Sequence, residues 1–359
     1  MKALITGVAG FIGSTLAERL VRSGVSVVGI DSFSDYYSTV QKRQNIQWLC
    51  TNPPEKFRLI EQRLQDVALP ELLSDCTHVF HLAGQAGVRK SWGRDFDIYT
   101  ADNIQATQML LEACVAAPIE RLVYASSSSV YGDVLRPKNP SPKGQWAHYN
   151  PSAETSRLRE DGPTQPVSPY GVSKLAAEHL CYLYHANHGV PTVSLRFFTV
   201  YGPRQRPDMA FHKFLLAAHT GQPITLFGDG QQTRDFTYID DIVTAVVSAA
   251  TRGTPGSVYN IGGGVCVTVR HVLELIERVT GRQLRLNDVG SQKGDMRHTH
   301  ADTTRAQRDL GFAPTMDLER GLAAEYAWLI TSQTEARAVE TRIFETFMRE
   351  LYDVTPNGI

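Results

Sequence analysis

Close to its start the chain reads Thr6-Gly-Val-Ala-Gly-Phe-Ile-Gly13, a glycine turn between an apolar run, Lys2–Thr6, and a segment of helical periodicity. Ile12, Leu16, Leu20 and Val21 recur on one helix face over Ile12–Ser23, and Gly24 stands where a C-cap belongs. A strand that turns at once into a helix sends that helix back across a sheet. The β-rich run Val25–Ile30 that follows predicts a second, parallel strand. Few folds other than a doubly wound α/β sheet accept this start. Within it Gly7 permits the tight turn, Gly10 lets backbone approach a pyrophosphate, and Gly13 lets helix and strand pack closely. The helix N-terminus then presents unpaired N–H groups and a favourable dipole to the anion. Asp31 closes the second strand about twenty residues on, where a carboxylate accepts hydrogen bonds from a ribose and repels a 2′-phosphate. NAD is therefore expected over NADP. The spacing is GxxGxxG, not the commoner GxGxxG.

The alternation continues. His78–Leu82, Arg121–Ala125 and Thr192–Phe197 read as buried strands, with helical stretches over Asn103–Ala116 and Tyr170–His188. After Tyr201 the pattern loosens: Gly228-Asp229-Gly230 marks a turn, Tyr259–Gly264 a strand running into glycines, and Leu310–Pro314 a loop before another helix. At 359 residues the chain exceeds one small domain, against a prior of roughly 150 residues each. The expected fold class is α/β, a Rossmann-type doubly wound parallel sheet with a smaller α/β substrate-binding cap. The expected division is 1–198 for the nucleotide-binding unit, with roughly 237–259 returning to it, 199–330 for the cap and 331–359 for a C-terminal helical extension. Lys+Arg 36 against Asp+Glu 37 leaves a net charge of −1, which argues against nucleic-acid binding through phosphate neutralisation. Five scattered cysteines without CxxC spacing form no metal-ligand set and read as reduced thiols of a cytoplasmic protein. No apolar run approaches membrane-spanning length, and the N-terminus lacks a signal-peptide layout.

Tyr170-Gly-Val-Ser-Lys174 puts a phenol and an ammonium four residues apart, on one helix face. The ammonium, with a positively charged nicotinamide, would lower the tyrosine pKa and make it a general base. The same spacing occurs as a surface pair in many helices, so by itself it decides nothing. Ala125-Ser-Ser-Ser-Ser-Val-Tyr-Gly132 closes a strand and places four hydroxyls at the carboxyl edge, where doubly wound sheets bind ligands; a polar turn is the alternative.

In this order, the glycine turn, Asp31, the Ser126–Gly132 run and Tyr170/Lys174 resemble the extended short-chain dehydrogenase/reductases of the nucleotide-sugar epimerase/dehydratase group. The resemblance runs from Met1 to about Trp328 and includes His81–Arg89, Asn103, Leu195–Pro203, Arg234–Asp241 and Gly294-Asp295. It implies a seven-stranded Rossmann sheet with a small cap, NAD as cofactor and a UDP-sugar as substrate. It places Gly7, Gly10, Phe11, Ile12, Gly13, Asp31, Leu82, Ala83, Gly84 and Asn103 around the dinucleotide, with Asp66 and Val67 flanking adenine. Tyr170, Lys174 and Ser127 take the catalytic positions, and the first two also reach the cofactor. Arg89, Ser127, Ser128, Ser129, Tyr170, Thr199 and Arg206 fall to the sugar, and Arg234 and Asp295 to the UDP part.

Dehydratases and decarboxylases of the group resemble one another in carrying a carboxylate just before Val-Tyr-Gly. Ser128 and Ser129 stand there in this chain, which favours plain epimerisation. Asp35-Tyr-Tyr37 with Lys42 and Arg43 is similar to the corresponding segment of UDP-glucuronate 4-epimerases. So is Phe197–Met209, with Thr199 where UDP-glucose 4-epimerases tend to have Asn. The expectation is an NAD-dependent isomerase that interconverts UDP-glucuronate and UDP-galacturonate. By that resemblance Thr199 lies beside sugar C6 and Arg206 influences carboxylate binding; a solvated loop cation is the alternative for Arg206. Rival readings are a UDP-glucose/UDP-galactose 4-epimerase, a UDP-glucuronate decarboxylase and a nucleotide-binding regulator without chemistry. Leu135–Val167, rich in Pro, Ser and charge, is an inserted loop that either docks over the sugar pocket through Trp146, His148 and Tyr149 or bulges into solvent. Gly84 stands where relatives often have Ala. The group's homodimer pairs two helices per subunit, here Asn103–Ala116 and Tyr170–His188, with Ile104, Met109, Leu110, Cys114, Leu175, Leu180, Leu183 and Tyr184 apolar. A tail helix over Glu335–Tyr352 carries its own stripe at Val339, Ile343, Phe347 and Leu351.

Overall fold

The structure, a computed structural model, describes residues 1–52, 54–133, 157–290 and 296–334. Its centre is a parallel sheet of short apolar strands covered on both faces. In chain order these are β1 (Lys2–Thr6), β2 (Ser26–Ile30), β3 (Phe57–Ile60), β4 (His78–His81), β5 (Arg121–Ser127) and β6 (Thr192–Phe197). A seventh strand, Ser257–Ile261, joins them from much later in the chain and pairs with β6. The order winds outward from β1 to β2 and β3, then restarts at β4 on the other side, so the switch point lies between β1 and β4.

The sheet sorts its side chains by alternation. Ala3 and Ile5 face one core with α1 (Phe11–Arg22) and α2 (Thr39–Thr51), through Leu16, Leu20, Ile46 and Leu49. Leu4 faces the other, with α3 (Leu69–Leu73), α5 (Ala106–Val115) and α6 (Pro169–His188), the short α4 (Phe96–Tyr99) lying ahead of α5. The first helix ends at Arg22 with Ser23 as its cap, and Gly24 follows at φ 84°, in the left-handed region. The helix expected over Asn103–Ala116 is two conformations: Thr100–Gln105 is a π-turn, and α-helix begins only at Ala106. The wide turn is needed because Asn103 points inward and is buried. α2 carries few apolar positions, so periodicity gave no sign of it.

The chain after β6 builds two smaller sheets. β7 (Thr199–Tyr201), β9 (Thr233–Tyr238) and β11 (Cys266–Thr268) form one, and β8 (Ile224–Phe227) with β12 (Leu286–Val289) the other; Ser257–Ile261 is β10. Around them lie α7 (Ala210–Thr220) and α9 (Val269–Thr280), while α8 (Ile239–Arg252) returns to the main core through Ile242, Val246 and Ala249. α10 (Thr304–Leu310) and the helical residues 318–334 complete the described chain.

The described end of the inserted loop is anchored at Leu158 and Glu160. Leu158 is buried and bridges Ala301, its carbonyl accepts from Asn260 Nδ2 (2.8 Å), and Glu160 Oε1 accepts from Asn260 N (2.8 Å). Trp146, His148, Tyr149, Asp295 and the tail stripe Val339, Ile343, Phe347 and Leu351 lie outside the described residues.

Candidate active site

A cleft of about 500 Å³ runs along the carboxyl ends of the strands, from the glycine turn to the loop after β7. At one end α1 starts behind Gly10 with no side-chain cap and no acidic residue in its first turn, so its N–H groups remain for an anion. A Cβ on Gly13 would stand 2.1 Å from the Gly7 carbonyl oxygen, and one on Gly7 2.8 Å from Ala83 N. Only glycines let β1, α1 and the loop after β4 close this tightly. Asp31 Oδ2 accepts from Ala9 N and Oδ1 from Phe33 N, each at 2.9 Å. Each oxygen keeps a lone pair for a ribose hydroxyl. The Tyr37 hydroxyl, buried and without a hydrogen-bond partner among the described residues, belongs to a cleft-lining residue on this side. These features fit a dinucleotide.

At the centre stand Tyr170 and Lys174. Ser168 caps α6, its Oγ accepting from Gly171 N (3.1 Å), and Pro169 opens the helix, so both side chains leave the first turns toward the cleft. Burial pushes the Tyr170 pKa up, while the hydrogen bond with Ser127 and the charge of Arg206 pull it down. The ammonium expected to activate this phenol lines the same cleft, and Lys174 Nζ is 4.5 Å from the centroid of the Tyr124 ring. Burial lowers the Lys174 pKa to about 8. Ser127 Oγ also accepts from Ser129 N (3.2 Å), which starts the short turn Ser128–Val130. Beneath it Ser126 Oγ donates to Glu178 Oε2 (2.7 Å), and Glu178 is paired with Arg196 (2.6 Å) inside the core. Sequence reasoning missed this pair. Its signal was Arg196, the lone charge in a strand that reads as buried, which demands a buried partner.

At the far end Ser127, Ser128, Ser129, Thr199, Arg206 and Arg234 line the same cleft as Tyr170. Arg206 is no solvated loop cation: its side chain is 23% exposed and paired with Asp208.

Some expected positions fall differently. Asn103 is not a cleft residue: Oδ1 accepts from Gln85 N (2.7 Å), and Nδ2 donates to Gln85 O (3.0 Å) and Ser173 Oγ (2.8 Å). It clamps the loop after β4 to α6. A Cβ on Gly84 would lie 2.7 Å from that Oδ1, so the glycine makes room for the clamp. Gln62–Gln65 line the cleft, whereas Asp66 and Val67 do not, since the tight turn Leu64–Asp66 carries the chain away. Arg89 lies over the Phe227 ring, 4.0 Å from its centroid, outside the cleft lining. Arg234 Nη1 donates to the carbonyls of Thr233 (2.8 Å) and Arg297 (3.3 Å).

A strand–glycine turn–helix, an acid at the next strand end and a Tyr/Lys/Ser group over one cleft agree with a sequence-family match. The profile of the NAD dependent epimerase/dehydratase family covers residues 3–262. The chain belongs to that family. It is 42% identical over 333 residues to a Bacillus subtilis (strain 168) protein described as an uncharacterized UDP-glucose epimerase, YtcB, covering 92% of this chain and 98% of that one. It is 34% identical over 330 residues to the UDP-glucuronate 4-epimerase of Thermodesulfobacterium geofontis (strain OPF15), covering 90% and 95%. The crystal structure of the Bacillus cereus UDP-glucuronic acid 4-epimerase with UDP-glucuronic acid and NAD superposes with a TM-score of 0.84 at 41% identity, covering 92% of this chain and 99% of that one. No helix among the described residues is long and apolar enough to cross a membrane.

Proposed function

We propose that this member of the family interconverts UDP-glucuronate and UDP-galacturonate. The observation that carries the reading is one cleft in which Tyr170 and Ser127 face the Ser128/Ser129 hydroxyls, Thr199 and Arg206, with no carboxylate before Val130. NAD, when bound, accepts the hydride of sugar C4 and returns it. Tyr170 removes the proton of the C4 hydroxyl, with Ser127 hydrogen-bonded to the same oxygen, and gives it back after the keto sugar has turned its other face. Lys174 holds a positive charge beside the reacting group, Asp31 takes the ribose, and Arg234 belongs to the UDP end. A 4-keto-uronate is a β-keto acid and loses carbon dioxide when its carboxylate is aligned for it, so the serine and threonine hydroxyls have the further task of holding it out of line. Incubating the NAD-loaded enzyme with UDP-glucuronate and resolving the products tests this. UDP-galacturonate without net reduction of NAD is expected; carbon dioxide and a pentose product would move the assignment to a decarboxylase, and faster turnover of UDP-glucose to the neutral epimerase.

The assembly we propose is a homodimer through α5 and α6, in the cytoplasm. Leu110, Cys114 and Tyr184 turn into the core, and the outward apolar positions are Met109, Val115, Val172, Tyr182 and Leu183. Apolar side chains on two packed helices support a partner there. Light scattering should give twice the chain mass, and Leu183→Asp should halve it.

A further inference from the structure

The segment Asp35-Tyr36-Tyr37 reaches the sugar end of the cleft. The Tyr36 hydroxyl donates to Asp208 Oδ2 (3.3 Å). It fits because Gly87 has no side chain: a Cβ there would stand 2.4 Å from the hydroxyl. Asp208 in turn holds Arg206 at two points, accepting from Nε at Oδ1 (2.9 Å) and from Nη2 at Oδ2 (3.1 Å). These bonds leave Nη1 without a hydrogen-bond partner among the described residues. Arg206 lines the cleft and Asp208 does not, so the carboxylate backs the guanidinium from the far side. The backbone under the pair is fixed: Gln205 Nε2 donates to Val200 O (3.0 Å), and its Oε1 accepts from His212 N (2.9 Å).

An uncompensated guanidinium in a part-buried site grips a carboxylate by charge-assisted, often bidentate bonds. Epimerisation asks for the opposite at the sugar, because the ring presents both faces of C4 in one turnover and every contact to it is broken and remade. Resting on the uronate reading above, we infer that Asp208 is a positioning and selectivity residue acting through Arg206: it fixes the guanidinium and offsets its charge, so that a C6 carboxylate is recognised yet released as the keto sugar turns. Tyr36 completes the device from the first domain by holding Asp208 in place. The same arrangement reaches the base. Arg206 is faced by Asp208, Tyr36, Tyr37 and Tyr170; Tyr170 is faced by Arg206, Ser127, Tyr124 and, edge-on at 6.2 Å, Tyr99. Asp208 is faced also by Tyr37, by Tyr99 and by His212 of α7. Neutralising Asp208 makes the field at Tyr170 more positive, which favours the phenolate.

The test uses the NAD-loaded enzyme and its Asp208→Asn and Asp208→Glu variants. Binding of UDP-glucuronate and UDP-glucose is measured by calorimetry, and turnover of UDP-glucuronate over pH. In Asp208→Asn the Kd for UDP-glucuronate should fall about fivefold, the worth of one part-exposed ion pair, with the Kd for UDP-glucose unchanged. Its kcat should fall, and the acid limb of kcat/KM should move to lower pH. Asp208→Glu, which keeps the charge, should stay close to the parent. In an Arg206→Ala background the Asp-to-Asn change should leave the preference between the two sugars unaltered. Equal changes for both sugars, identical behaviour of the Asn and Glu variants, or a preference shift that survives without Arg206 would each overturn the inference. Absence of UDP-glucuronate turnover in the unmodified enzyme would instead remove the functional reading and the inference with it.

Discussion

At the scale of single residues, the electrostatics of the cleft turn on burial. Tyr170 is held above its ordinary pKa by burial and brought down by Ser127 and Arg206, so its acidity depends on neighbours from two other parts of the chain, the end of β5 and the loop after β7. Replacing Tyr170 by Phe should lower epimerisation about a hundred- to ten-thousand-fold, with NAD retained on gel filtration. Near-normal turnover would mean another group is the base. Lys174, lowered to about 8 by burial, loses its charge within reach of ordinary assays. The kcat/KM profile should therefore decline on a basic limb near that value; a profile flat to well beyond it would remove the ammonium from the mechanism. Asp31, whose oxygens already accept from two backbone amides, fixes the loop as well as offering a ribose contact. Its replacement by Ala should weaken NAD and relax discrimination against NADP, and an unchanged cofactor preference in paired titrations would refute the contact.

Elements matter through what aligns them. α6 carries Tyr170 and Lys174, the side chains proposed for proton transfer, and Asn103 ties its early turns to the loop after β4 through bonds to Gln85 and Ser173. The π-turn over Thr100–Gln105 is the backbone cost of bringing that amide inward. Asn103→Ala should cost about 2–3 kcal/mol, because partners on two elements lose their bonds in a buried place. Urea denaturation would measure the loss, and kcat should fall with it, since the loop after β4 and the start of α6 then part. Unaltered kcat in a destabilised variant would show that the clamp supports folding alone.

For the molecule as a whole, a buried acid joins the late helix to the start of the loop that carries Arg206. Glu325, within the helical residues 318–334, accepts from Gly202 N at Oε2 (2.8 Å), and its Oε1 has no partner among the described residues. Gly202 starts the loop that carries Arg206. Burial raises the Glu325 pKa from 4.5 to about 8, so the native state keeps a proton that the unfolded chain releases. The sign follows: its contribution is fully present below the unfolded pKa and is lost as pH rises from about 4.5 to about 8. The slope is up to roughly 1.4 kcal/mol per pH unit. Glu325→Gln should flatten that part of the stability curve relative to the parent, which thermal unfolding at stepped pH would read. Parallel curves for the two proteins would show that the carboxyl is already ionised in the fold.

Local signals carried much of this protein. The glycine turn, Asp31, the serine run and the Tyr170/Lys174 spacing are contiguous patterns, and each owes its place to a strand end or a helix turn that neighbouring residues specify. That is why the strand Thr192–Phe197 and the start of the sheet were legible before any coordinate. The partners were not. Nothing adjacent in the chain says that Asn103 would bond Gln85 and Ser173, that Asp208 would back Arg206 while Tyr36 arrives from over a hundred residues away, or that Lys174 would rest on Tyr124. Hydrogen-bond valence and buried charge are satisfied by whatever the packed fold brings within reach. Periodicity along the chain records which face of an element is apolar; it holds no record of which buried polar group that face will meet.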